Sequence, residues 1–283
     1  MSKRGIVVTP PFTIYGNGFS ISPVGPPNPV VLRRALLYWD QIDFPDNNII
    51  HIEEDDNFRF LMESGVAKRT MVSFRGSFKM GPWFYYASQV TALLENNRRE
   101  PDVWSLCQTG EQIYLPPEVS YESRTIEVEL YQALPAPPDD IPFAEILEFK
   151  RKRNAELLAL RAALDDLYLD VTNAADLPRA KTSAIDRLDL ILADVRKAAS
   201  ESWGHRLIPK VKVALNIPEV IKTVAVTVVV AKEFGLPLSV AVAAGTFASL
   251  IKFDWGSVAR VKELSSELRP YAYLISAQKE LRV

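Results

Sequence analysis

The stretch His51-Ile52-Glu53-Glu54-Asp55-Asp56 places one imidazole beside four carboxylates within six residues. Brought together in space, such groups can hold a hard cation or act as a general acid and base. They also have a plainer use. Asp55 or Asp56 can cap a helix opening near Asn57, and acids at that end complement the helix dipole. The other histidine, His205 in Trp203-Gly204-His205-Arg206, falls at an expected helix end, where an imidazolium or a buried hydrogen-bonded ring fits. Cys107 is the only cysteine. Its apolar setting, Trp104-Ser105-Leu106-Cys107, marks it as a core side chain. One cysteine excludes an intramolecular disulfide, and with two histidines it excludes a closed zinc site of the usual type. No metal and no cofactor is expected, and a reducing compartment fits. Gly76-Ser77-Phe78-Lys79-Met80-Gly81 has the glycine spacing of a phosphate loop, but Pro82-Trp83 stands where Lys and Ser or Thr would bind phosphate and magnesium. There is no G-x-S-x-G elbow and no H-E-x-x-H pair, so no catalytic residue is assigned.

Lys150-Arg151-Lys152-Arg153 is the strongest basic run. Lys150, Arg151 and Arg153 are the candidates for holding a phosphate, an acidic peptide or an anionic headgroup, although four successive residues point around a helix. Lys and Arg number 33 against 35 Asp and Glu, a net charge of -2. That balance provides no whole-protein positive field. Arg33-Arg34 and Arg98-Arg99 are not interleaved with aromatics as a nucleic-acid groove would be, so no nucleic-acid partner is expected.

The most unusual segment is 220–253, within an apolar hairpin over 218–253 that divides at Gly235-Leu236-Pro237. Asn216 and Pro218 supply an opening cap, Gly235 a closing one and Pro237 a new first turn, which favours two apolar helices, though the valine runs would also suit strands. Residues 234–251 carry no charge and would span roughly 27 Å as a helix, just short of a 30 Å hydrocarbon core. The hairpin has two readings, the buried centre of a soluble domain and a stored membrane-active element. For the second, Lys222, Val228, Lys232, Phe234, Ala244, Phe247 and Lys252 are the membrane- or partner-binding candidates, with the lysines at the lipid headgroups. Lys232-Glu233 between the arms opposes insertion, because charge at membrane depth costs about 2.5–3.5 kcal/mol.

The 283 residues, 48% hydrophobic and 24% charged, have the composition of a folded protein. Fifteen of 20 prolines and eight of 12 glycines precede residue 143, so the first half is turn-rich and the second largely helical. Leu134-Pro135-Ala136-Pro137-Pro138 is a stiff connector that neither a helix nor a central strand accommodates, and it sets a boundary near residue 138. The expected architecture is α+β: a mixed α/β module over 1–138, then an all-α helical bundle over 139–283 containing the apolar hairpin. Strands are expected at 5–9, 42–44, 49–52, 66–74, 103–107, 112–115 and 124–134, with a hairpin over 12–22 turning at Gly16-Asn17-Gly18. Helices are expected at 29–39, 57–63 and 83–98, the second closed by Gly65. Asp140 with Pro142 opens a long helix. Leu157, Leu160, Leu164, Leu167 and Val171 form its stripe, and Ile185, Leu188, Leu192, Val195 and Ala199 that of its antiparallel partner. A last helix runs through 255–268 to a break at Pro270. The amino terminus has only a four-residue apolar stretch before its prolines, too short for a signal-peptide core.

Arg4-Gly5-Ile6-Val7-Val8, Leu36-Leu37-Tyr38-Trp39-Asp40-Gln41-Ile42-Asp43-Phe44-Pro45 and Pro142-Phe143-Ala144-Glu145-Ile146-Leu147-Glu148-Phe149-Lys150-Arg151-Lys152-Arg153 resemble a family of bacterial proteins of unknown function. The resemblance implies an intracellular bacterial protein of the gene pool that holds stress, toxin and phage-defence genes, and it transfers no catalytic residue. The expectation is a non-enzymatic cytoplasmic interaction protein, a sensor or effector, with a protein partner or a second copy of itself. The first alternative is an effector that releases the hairpin into a bilayer on a trigger. The second is an enzyme using His51, Glu53 and Glu54.

Overall fold

The computed structural model describes residues 3–8, 13–15, 18–20, 27–75, 83–101, 103–107, 112–114, 130–198, 212–214 and 265–283. Four strands, β1 (Gly5–Val8), β4 (Gln41–Asp43), β6 (Ala67–Lys68) and β8 (Trp104–Cys107), form a parallel sheet in the order β6-β4-β1-β8. Gly5 lies opposite both Gln41 and Trp104. Between them come the antiparallel hairpin β2 (Thr13–Tyr15) and β3 (Gly18–Ser20), α1 (Pro29–Tyr38), β5 (Asp46–Asn47), α2 (Asp56–Glu63), β7 (Met71–Val72) and α3 (Trp83–Arg99). β5 and β7 pair in parallel beyond the carboxyl ends of β4 and β6. From β1 the chain steps outward to β4 and β6, then returns to lay β8 on the other side of β1. This places a reversal of strand order between β1 and β8.

The sheet's two faces separate cleanly, as alternation along a strand requires. Ile6, Val8, Ile42 and Phe44 join the large core shared with α1, and Cys107 packs at its margin. The opposite face meets α3. There Asn97 bonds the backbone of Trp104, Asn96 reaches Asp43 at 2.6 Å, and the Gln89 amide donates to the carbonyls of Val7 and Cys107 at 3.0 and 2.8 Å. Gly5 is obligatory at this face, since a Cβ there would lie 2.4 Å from the buried Trp104 ring. Gly5→Ala is therefore expected to cost about 1–3 kcal/mol in urea denaturation, and to cost less in a Trp104→Phe background.

α4 (Phe143–Lys152), α5 (Asn154–Thr172), α6 (Leu177–Ala198) and α7 (Ala272–Leu281) pack against α1 and one another, and the buried cluster runs unbroken from Ile6 to Leu281. The expected stripes lie inward at Leu157, Leu160, Leu164, Leu167, Val171, Leu188, Leu192 and Val195. In α6, Ala184 is buried and Ile185 only half-buried. β10 (Lys212–Ala214) pairs in parallel with β9 (Gln112–Tyr114), so the second half contributes a strand as well as helices.

Several expected elements differ. The 49–52 strand is a loop, because the Asn47 side chain accepts from the backbone of Ile49 and Ile50 at 2.9 and 2.8 Å and turns the chain. The 66–74 strand is two short strands, β6 and β7. Residues 130–133, expected as strand, are helical, which buries Leu130, Tyr131 and Leu134 together. Pro142 is the N-cap of α4, and Asp140 bonds Arg282 at 2.6 Å instead. The single long helix is interrupted at Arg153. The cap of α2 is Asp55, accepting from Phe58 N at 2.8 Å, and Gly65 closes the helix at φ +71. The 76–81 glycine stretch, His205, the hairpin 218–253 and residues 255–264 lie outside the described residues.

Candidate functional site

Two polar clusters lie at opposite edges of the sheet. The first closes the carboxyl end of α1, where the last carbonyls of a helix lack intrahelical donors. Lys150 donates to Leu36 O at 3.0 Å and to Trp39 O, Tyr273 Oη donates to Leu37 O at 2.8 Å, and Arg161 donates twice to Tyr38 O. All three donors come from α4, α5 and α7, and the two cations also oppose the negative end of the helix dipole. Asp40 completes the cluster. It accepts from Arg161 at 2.8 Å and from Arg4 N at 2.9 Å, with Lys150 3.8 Å away. Burial alone would raise the Asp40 pKa, but the Arg161 hydrogen bond and charge, with Arg4 N and Lys150, carry it below the ordinary value. Burial is also the main force on Lys150 and lowers it from 10.5 to about 8, with Asp40 partly opposing. Arg4 extends the cluster to Asp165 and to Tyr131 Oη.

The second cluster sits at the carboxyl edge of β4 and β6. Asp43 is wholly buried and accepts from Thr70 N at 2.9 Å, Thr70 Oγ1 at 2.5 Å and Asn96. The Lys68 ammonium bonds Asn96 Oδ1 at 2.8 Å and lies 4.3 Å over the Trp104 ring. Farther out, Asp46 contacts His51 Nδ1 at 2.5 Å and Arg69 at 3.4 Å, and Arg69 continues to Glu54 at 2.8 Å. A carboxylate only accepts, so Nδ1 is the donor in this contact. Asp46 is 6% exposed and His51 59%, so a buried anion orients an imidazole whose outer nitrogen meets solvent.

A family model described as a family of unknown function (DUF6236) matches residues 13–282. The chain belongs to that family. No curated protein and no solved structure matches it.

In this DUF6236 chain the basic run is dispersed. Lys150 turns inward to α1, Arg153 pairs with Glu280 and Glu156, and only Arg151 of the three candidates stands fully on the surface. His51 and Glu54 join one chain of contacts through Asp46 and Arg69, while Glu53 is exposed. Burial pushes the Cys107 thiol up to about 11, with Arg34 opposing. Lys222, Val228, Lys232, Phe234, Ala244, Phe247 and Lys252 lie outside the described residues. Among the described residues no helix is long and apolar enough to cross a membrane, and no three His, Cys, Asp or Glu side chains gather as metal ligands. Asp40, Asp46 and Arg161 were not singled out by sequence reasoning. Arg161 carried a signal, since it lies four residues after Leu157 and three before Leu164, on the buried face of α5.

Proposed function

We propose that this chain is an intracellular interaction protein, of sensor or effector type, whose partner docks on the outer surface of the α5–α6 helical hairpin. The observation that supports this is exposed apolar surface: Leu169 is 49% and Leu190 70% exposed, on helices joined by the Asp170–Arg187 ion pair at 3.2 Å. A partner surface needs apolar side chains rimmed by charge. A bacterial defence role and a mainly helical bundle around the apolar hairpin belong to the same proposal, the first resting on the likeness of three short motifs. The test compares the wild type with a Leu169→Glu, Leu190→Glu variant in affinity capture from cells and in sedimentation velocity. A specific partner or self-association present in the wild type and lost in the variant supports the reading. A monomeric wild type that retains nothing beyond bait-free beads removes it.

One observation favours an enzyme as the second reading, namely the orientation of His51 by buried Asp46, with Nε2 available as a general base. On that reading His51→Gln lowers hydrolysis of an activated ester such as p-nitrophenyl acetate by about 10²–10⁴-fold, and Asp46→Asn lowers it less. A wild-type rate no greater than that of free imidazole would sink it.

A further inference from the structure

We propose that the occupant of the α5–α6 surface is a second copy of this chain, docked antiparallel along α6, an inference that rests on the docking reading above and names its partner. Ala184, Leu188, Leu192 and Val195 turn one side of α6 into the core. At 3.6 residues per turn, the line on the opposite side is Asp186, Leu190, Ala193 and Lys197. Asp186 and Lys197 are exposed, Leu190 is 70% exposed, and Ala193 is half-buried. Their spacings of four, three and four residues are those of a coiled-coil seam. Along it the order is anion, large apolar, small apolar, cation.

That order becomes its own complement when reversed. A two-fold contact repeats every pairing, so Asp186 meets the partner's Lys197 and Leu190 fits over the partner's Ala193, each twice. The flanking positions agree. On one side of the seam Arg187 comes level with the partner's Asp194, and on the other Asp189 with the partner's Arg196, the places where charges bridge paired helices and set their orientation. A parallel pair would instead set Asp186 against Asp186, Lys197 against Lys197 and Asp189 beside Asp194. Like charges so placed oppose association. The ion pairs already present do not bar the antiparallel contact. Arg187 meets Asp170 at 3.2 Å and Lys197 meets Asp194 at 3.1 Å, but all four side chains are more than half exposed, and such pairs contribute little. A foreign partner requires one half of a complementary surface, whereas this stripe carries both.

The test is sedimentation velocity of the full chain over about 5–200 µM, a range chosen because so short a seam suits a weak interface. The expected result is a concentration-dependent shift from monomer to dimer with nothing larger, since a two-fold contact closes on itself. Leu190→Glu should abolish the shift. Asp186→Lys and Lys197→Asp should each weaken association at least about tenfold, because each sets like charges together twice. Mixed in equal amounts, those two variants should associate with each other at close to wild-type strength, since every seam pair is again opposite in charge. That recovery also shows that both variants fold. A wild type that stays monomeric, a Leu190→Glu chain that dimerises as the wild type does, or a mixture that associates no better than its parts overturns the second copy as occupant. The docking reading then stands or falls separately: a different protein captured by the wild type and lost in the Leu169→Glu, Leu190→Glu variant retains that reading while overturning this one.

Discussion

Arg161→Met should cost about 3–5 kcal/mol, the range for removing one partner of a buried ion pair. Arg161 is 5% exposed and serves two acceptors, the Tyr38 carbonyl through Nε and Nη2 and the Asp40 carboxylate through Nη1. Methionine fills much of the space, so the loss reflects unmet charge and hydrogen bonds more than a cavity. Tyr38 O would stand buried without its donor, and Asp40 would keep only Arg4 N and the more distant Lys150. Against a total stability of about 5–15 kcal/mol, that is a fifth of the fold or more. Urea denaturation at pH 7 measures it. A double-mutant cycle then identifies the cause, since Asp40→Asn should cost clearly less in the Arg161→Met background than in the wild type. Additive losses would show that Asp40 and Arg161 do not act as a pair.

The elements of the first half were legible where pattern and punctuation agree. Pro29 opens α1 and Gly65 closes α2, each because one residue type meets one backbone demand. The misread strands share a cause: apolar runs such as 49–52 and 130–134 satisfy strand and loop or helix equally, and Asn47 decides the first through side-chain bonds that periodicity does not register. The clusters were less legible still. Asp40, Lys150 and Arg161 come from three separated segments, and what gathers them is the set of unmet carbonyls at the end of α1, a demand that exists only once α1 is packed. Lys150 shows the difficulty most plainly. In a run of four cations it resembles a surface charge, but a helix distributes neighbours around its axis, and Lys150 falls on the face that Phe149 and Ile146 also bury.

That burial gives Lys150 a pH signature. Its ordinary value of 10.5 falls to about 8 in the folded chain, chiefly through burial. Below pH 8 the amine is protonated in both folded and unfolded chains, and the fold bears the whole cost of a buried charge. Between pH 8 and 10.5 the folded chain has released the proton while the unfolded chain retains it, so the unfolded state binds more protons and stability rises with pH. At about 1.4 kcal/mol per pH unit the gain approaches 3 kcal/mol at the upper end. Tyr38 and Tyr273 act in the opposite sense, since both are raised by burial and remove stability as pH climbs past 10. Lys150→Met retains both tyrosines, so the difference between wild type and variant isolates the lysine. The wild type should gain on Lys150→Met steadily from pH 7 to 10 in urea denaturation, most of it above pH 8. A difference that stays flat across that range would mean that Lys150 remains protonated in the fold, with Asp40 and the α1 carbonyls outweighing its burial.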